Sequence, residues 1–166
     1  LLNEDFDIGI RTLSEPLKKG LVAHLLVEAD FTPLLSPALA ESIGGVKEPA
    51  DLLKLPMLDP RDEWWAMWFE VAGVPGFSTE GRPMSILNLQ SLLGSAAMAG
   101  RGVSMLTPAL FRDEIASGRL IQPFPILAPA GRGYYLVYPE SRRNAPKVKM
   151  FRDWMLGATA FMREGT

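Results

Sequence analysis

The sequence predicts an α/β protein of two lobes joined by two crossover segments, and three observations carry that prediction. The first is a helix-turn-strand-turn-helix step centred on Gly100-Arg101-Gly102-Val103-Ser104-Met105-Leu106-Thr107-Pro108. Upstream of it Leu89, Leu92, Leu93, Ala96 and Ala97 recur at three- and four-residue spacing, an apolar stripe on one helix face. Gly100 and Gly102 then free the backbone for a tight exit, residues 103–106 form a short apolar run, and Pro108 suits the first turn of a following helix. The second observation is a pair of proline-bearing connections, residues 32–37 and 123–133, that enclose a middle segment of alternating strand and helix signals. The third is Tyr134-Tyr135-Leu136-Val137-Tyr138, whose aromatic and branched residues make it the strongest strand signal in the chain. It follows the second connection, so the chain returns there to the lobe it left. Two lobes joined by two connections make a hinged cleft, a natural site for a small molecule.

The elements follow in order. Asp5-Phe6-Asp7-Ile8-Gly9-Ile10-Arg11 alternates and ends in apolar residues like a buried strand. With nothing before it to pair with, this strand is expected to belong to a sheet whose other strands come earlier, which makes the sequence part of a longer chain. Residues 12–20 are polar and contain breakers, a loop, and residues 21–27 form another extended apolar run. Residues 32–37 are excluded as a regular central strand, because Pro33 and Pro37 remove ladder donors. A short helix over 48–53 carries Pro49 in its first turn, and a short strand follows over 55–58. Residues 62–71 read as a helix with an acidic start that complements its dipole, ended by Gly73 and Pro75. Residues 82–87 are the next strand, with Asn88 as cap of a helix that runs to Ala99. A helix over 110–117 stops at Gly118, and residues 120–122 form a strand. The last helix, 146–162, aligns Val148, Phe151, Met155, Ala158 and Met162 on one stripe. The expected organisation is a first-lobe portion over 1–31, a second lobe over 32–130, and a return strand with terminal helix of the first lobe over 131–166.

Composition narrows the function classes. The 166 residues can bury about 70% of their unfolded surface. With 48% apolar and 22% charged residues they belong with globular domains. A net charge of −2 gives no general electrostatic reason to bind phosphate backbones. No window reaches the roughly 20 apolar residues of a membrane span, and no signal-peptide pattern opens the chain. The absence of cysteine removes disulfides and thiolate metal sites, and the single histidine, His24, is too little for a metal cluster, so no cofactor is implied. There is no Gly-x-Ser-x-Gly elbow, no His-Glu-x-x-His and no phosphate-binding loop, and Gly100-x-Gly102 lacks the third glycine of a dinucleotide fingerprint. Asp59, Asp62 and Glu63 are close in sequence, but nothing in the sequence places them in a cleft. The chain does not read as an enzyme.

Four stretches together resemble the effector-binding domain of LysR-type transcriptional regulators. Asp5-Phe6-Asp7-Ile8-Gly9-Ile10-Arg11 is similar to the family's Asp-x-Asp-apolar-x-apolar-Arg strand, and Leu35-Ser36-Pro37 with Pro49-x-Asp51-Leu52 to its crossover and following helix. Ala96-Ala97-x-x-Gly100-x-Gly102-Val103 and Gly118-Arg119-Leu120-Ile121-x-Pro123-Phe124 are similar to its central helix and the turns after it. Tyr134-Tyr135-Leu136-Val137-Tyr138-Pro139, Pro146 and Phe151-Arg152-x-Trp154 are similar to its return strand and terminal helix. The Gly-Arg-Leu and Phe-Arg-x-Trp pieces look most like the glycine-cleavage-activator and beta-lactamase-regulator branch. The resemblance implies a two-lobed, type 2 periplasmic-binding-protein-like α/β fold with an incomplete first lobe. It further implies a cytoplasmic regulator that senses a small effector in the interlobe cleft, self-associates, and reaches promoter DNA through an N-terminal helix-turn-helix domain outside this sequence, with no membrane role. A solute-binding receptor of a transport system, or a dehydratase-like enzyme on the same scaffold, is the alternative; an export signal upstream would mark a receptor.

Candidate effector contacts follow from where strands give way to helices. Asn88, Leu89 and Gln90 bring backbone amides and two polar side chains together at the positive end of a helix, which suits a carboxylate or amino acid. Against this, Asn88 can be a plain cap and Gln90 a solvated first-turn residue. Leu106 and Thr107 end another strand on the same side, with capping of the helix begun by Pro108 as the other role for Thr107. Thr12 can donate its hydroxyl across the cleft or serve its own loop, and Arg11 can pair with an anionic effector or with a surface acid. His24 in an apolar run reads as a sheet histidine rather than a base. Trp64, Trp65 and Trp68 share a helix face and are expected to pack on the sheet rather than stack on a ligand. Arg142, Arg143, Lys147, Lys149 and Arg152 solvate a helix start rather than touch DNA.

Overall fold

In the computed structural model, residues 7–14 and 19–163 are described. The strands are β1 (Gly9–Leu13), β2 (Leu21–Glu28), β3 (Thr32–Leu34), β4 (Ser104–Leu106) and β5 (Gly133–Pro139). The α-helices are α1 (Pro37–Glu41), α2 (Glu63–Val71), α3 (Gln90–Met98), α4 (Arg112–Ala116) and α5 (Pro146–Ala158). The chain divides into two units, Leu1–Ala29 with Pro129–Thr166, and Asp30–Ala128.

In the first of these units the aromatic run 134–138 forms the middle strand of a sheet ordered β1-β5-β2, with both neighbours antiparallel to it. The register pairs Gly9 with Val137 and Leu13 with Gly133 on one side, and Leu21 with Pro139 on the other. A bulge between Leu25 and Val27 brings backbone so close to Gly133 that a Cβ there would lie 2.7 Å from Leu25 Cδ1 and 3.0 Å from the Val27 carbonyl. Among the described residues β1, the described part of the expected first strand, pairs with β5, which comes later in the chain, and Ile10 is 44% exposed. Positions 5 and 6 of that motif lie outside the described residues.

Helix α5 buries Val148 from the expected stripe. The predicted continuous helix to Met162 ends instead at Ala158 and resumes as a 3-10 turn over Ala160–Met162. The Thr159 amide and hydroxyl both donate to the Met155 carbonyl, and the Arg163 side chain donates to the Leu156 carbonyl at 2.7 Å, so the last turn is closed by side chains.

In the unit Asp30–Ala128, β3 pairs antiparallel with β4, with Thr32 opposite Leu106 and Leu34 opposite Ser104. Residues 32–34 are thus a strand despite Pro33, contrary to the sequence expectation. The reason is parity: the Phe31 and Leu35 amides donate to Ala128 and Ile121, so the Pro33 nitrogen points to that same side and away from β4. The expected strands over 55–58 and 120–122 are single bridges, Met57 to Val103 and Leu35 to Ile121. Ser36 caps α1, a helix the sequence reading missed although Ser-Pro is a good opening for one. The helix over 48–53 is a 3-10 turn, Pro49–Lys54, and that over 110–117 begins as another, Pro108–Phe111. In the first turn Asp51 accepts from the Lys47 and Glu48 amides and from Lys54 at 2.6 Å. Those partners, Lys54 foremost, hold its carboxyl down at about 2.

All three tryptophans of α2 are buried in the core, as their shared face demanded. Trp64 stacks on Phe31 at 4.2 Å, the Trp65 indole donates to the Leu58 carbonyl, and the Trp68 indole to that of Ile126, each at 3.1 Å. A second cluster joins Leu34, Leu93, Ala97, Leu106, Phe111 and Leu120 and seats α3 on the β3–β4 pair.

Candidate functional site

The site builds up from Asp59, in the turn between Leu58 and α2. Residues 82–87, expected as a strand, form none. Asp59 holds the end of this segment: the Leu87 amide donates to both carboxylate oxygens and the Asn88 amide to Oδ2, all at 2.9 Å. The Asp59 amide in turn donates to Ser85 Oγ at 2.8 Å, and Arg82 donates to the Leu53 and Leu55 carbonyls.

Asn88 follows with φ 53° and is exposed. It is not the cap of α3, which corrects the plain-cap alternative: Leu89 holds that position, 58% exposed, and no side chain caps the helix. Gln90 opens α3, and its Oε1 accepts the Thr107 amide at 3.0 Å, which ties the helix start to the end of β4. That bond orients the carboxamide and turns its NH2 donors to other partners. An open cavity of about 520 Å³ adjoins this turn, lined by Asp59, Arg61, Asp62, Glu63, Met84, Ser85, Ile86 and Asn88. Asp62 is engaged as the cap of α2, accepting from the Trp64 amide.

The structure therefore brings Asn88, Leu89, Gln90 and Thr107 together, within one unit. Leu106 and Thr107 are 0% and 1% exposed; the Leu106 side chain belongs to the core cluster, so only its backbone neighbourhood serves the site. Thr107 precedes the Pro108–Phe111 turn but makes no side-chain cap bond to it. Arg11 and Thr12 lie on β1 of the other unit, both exposed, with Arg11 Nη1 donating to the Ile10 carbonyl. Asp59 is the residue the sequence reading passed over as one of several nearby acids. Its signal was the pairing of an Asp-Pro turn with a distant Asn, the two residue types besides glycine that most readily turn left-handed.

Elsewhere His24 Nε2 lies 2.9 Å from the Tyr138 hydroxyl, a satisfied sheet histidine. Burial, and then the charges of Arg152 and Arg143, press its pKa below the ordinary value. Lys147 and Arg142 pair with Asp7 at 2.5 and 3.6 Å, and Arg152 with Asp153. No group of three or more metal-ligating side chains is assembled among the described residues. Nor is any described helix long and apolar enough to cross a membrane.

A family model for the LysR substrate binding domain matches residues 1–160, and the chain belongs to that family. The fold is the type 2 periplasmic-binding-protein-like fold of LysR effector domains. The chain is similar to the HTH-type transcriptional activator AmpR of Rhodobacter capsulatus, 34% identical over 161 residues that make up 96% of this chain and 53% of that protein. It is also similar to the glycine cleavage system transcriptional activator of Escherichia coli (strain K12), 28% identical over 146 residues, 87% of this chain and 47% of that one. The solved effector domain of the transcriptional regulator AmpR of Pseudomonas aeruginosa matches with a TM-score of 0.77 and 29% identity, over 95% of this chain and 75% of that chain. The chain spans about half the length of the curated relatives it matches.

Proposed function

We propose that this chain is the effector-sensing part of a LysR-type transcriptional regulator and that it binds a small carboxylate or amino acid without converting it. The carrying observation is the uncapped start of α3, where exposed Asn88 lines an open cavity and Gln90, two residues on, is oriented by its bond to the Thr107 amide. First-turn amides and the positive end of the helix dipole favour an anionic group there. Arg11 and Thr12 are proposed as further contacts on the strength of the family resemblance. The regulator reaches promoter DNA through a helix-turn-helix domain, as the names of its relatives support; that it acts in the cytoplasm as a homo-oligomer is part of the same proposal, on the strength of the family resemblance.

The test has two arms. Calorimetric titration of this chain with a panel of small carboxylates and amino acids should find a binder, and Asn88→Ala with Gln90→Ala should weaken it by about tenfold or more, the loss of one or two charge-assisted hydrogen bonds. Unchanged affinity in a folded double variant would remove this placement of the site. The intact regulator should retard its own promoter DNA in a gel, and a folded sample that retards none would remove the regulator reading.

A further inference from the structure

Among the described residues, Asp59 (φ 46°) and Asn88 (φ 53°) are the two that adopt the left-handed region without being glycine. They stand 29 residues apart and are bonded to each other, the Asn88 amide donating to Asp59 Oδ2 at 2.9 Å. Such conformations persist where the surroundings over-determine them, and they gather at sites that bind or switch. Here the determinant is visible. One carboxylate takes two successive amides, Leu87 and Asn88, in charge-assisted bonds, and its own amide is held by Ser85. The left-handed turn at Asn88 then delivers the chain straight into Leu89 and Gln90.

We infer that Asp59 is a positioning residue for the effector site: its carboxylate clasps Asn88 in the left-handed conformation and so sets how the first turn of α3 and the Gln90 carboxamide are presented. The inference rests on the assignment of that turn to effector binding, but its mechanical content is testable without a ligand. If the clasp aims Gln90, its loss is felt at the Thr107 amide, which Gln90 Oε1 holds at 3.0 Å.

The experiment is amide hydrogen exchange on the 166-residue chain. Asp59→Ala should speed exchange at Thr107 by about tenfold or more, while the Ala128 amide, bonded to the Phe31 carbonyl, stays within about threefold of the parent. Adding Asn88→Gly should return Thr107 to within about threefold of the parent, because glycine takes the positive φ without a clasp. A merely structural role for Asp59 would raise exchange at Ala128 as well and would be indifferent to residue 88. Should Asp59→Ala not fold, Asp59→Gly serves: it removes the carboxylate, takes the φ of 46° without strain, and should show the same pattern with the same rescue. Unchanged exchange at Thr107, or no rescue by Asn88→Gly, overturns the inference. A clasp that passes while Asn88 and Gln90 variants bind the effector normally would leave the positioning intact and remove only the site assignment.

Discussion

Gly94→Ala isolates how tightly α3 is seated. In an exposed helix interior this exchange stabilises by about 1 kcal/mol, because alanine has the better helix propensity. At position 94 the added Cβ would lie 2.2 Å from Phe111 Cε1 and 2.7 Å from Cζ, distances that no relaxed pair of carbons shows. Phe111 is itself buried and shares a cluster with Leu93 and Ala97, so its ring has little room to retreat. Overpacking of this kind costs about 2–3 kcal/mol, which exceeds the propensity gain and leaves a net loss of about 1–2 kcal/mol. For a chain of this size that is a fall in melting temperature of roughly 2–8 °C. Denaturant titration followed by tryptophan fluorescence reads it, since all three α2 tryptophans are buried in the same unit. Phe111→Leu in the Gly94→Ala background should recover part of the loss, the signature of a steric cause. A Gly94→Ala variant as stable as the parent, or more so, would refute the reasoning and show that α3 can slide on its seat.

Two further outcomes follow from named bonds. Trp65→Phe removes the indole donor to the Leu58 carbonyl and part of a fully buried ring, and should lower stability by roughly 2–4 kcal/mol in the same titration; a loss under about 0.5 kcal/mol would mean that water replaces the bond. The His24 pKa lies below 6.5 in the folded chain, chiefly through burial, so as pH falls the unfolded chain takes up that proton first. His24 therefore contributes stability above pH 6.5 that declines as pH drops through 6.5 toward the folded value, and His24→Gln should flatten the pH dependence of the unfolding midpoint in that window. The carboxyl of Asp51, with a pKa lowered from 3.8 to about 2, loses its contribution only in the separate, more acid range. An unaltered slope near pH 6 in His24→Gln would contradict the burial argument.

The elements that sequence exposed were those where one periodic pattern governs one surface. Residues 134–138 are rich in strand formers and became the middle of a sheet; Trp64, Trp65 and Trp68 share a helix face and became core. What stayed hidden was decided by bonds across long separations. Pro33 enters a strand because its missing donor falls on the side away from β4, a matter of parity that composition does not carry. Residues 82–87 have the apolar content of a strand, yet Asp59, far upstream, holds the amides of Leu87 and of Asn88 after it. The candidate site was legible as a place, the start of α3 and the end of β4, because helix starts advertise themselves locally. Its mechanics were not: the roles of Leu106 as core, of Leu89 rather than Asn88 as cap, and of Asp59 as clasp all depend on what lies opposite in space.

The charges around the cavity at first oppose an anionic effector, since Asp59, Asp62 and Glu63 line it with Arg61 as the one cation among its lining residues. What each acid already does changes the balance. Asp59 has its carboxylate turned onto two amides, and Asp62 has an oxygen on the Trp64 amide, so both negative charges are partly absorbed by backbone dipoles. Glu63, exposed in the first turn of α2, has its charge toward solvent. The α3 start offers the opposite polarity, uncapped amides and the Gln90 NH2 donors. A ligand that carries a carboxylate alone would meet favourable donors at one end and an acidic rim at the other, whereas a zwitterion would satisfy both. On the proposed placement of the site, an amino acid is expected to bind more tightly than its deaminated analogue, and equal affinities in calorimetric titration would refute that. Deamination should weaken binding more at low ionic strength than at high, because the Glu63 side of the rim is open to screening.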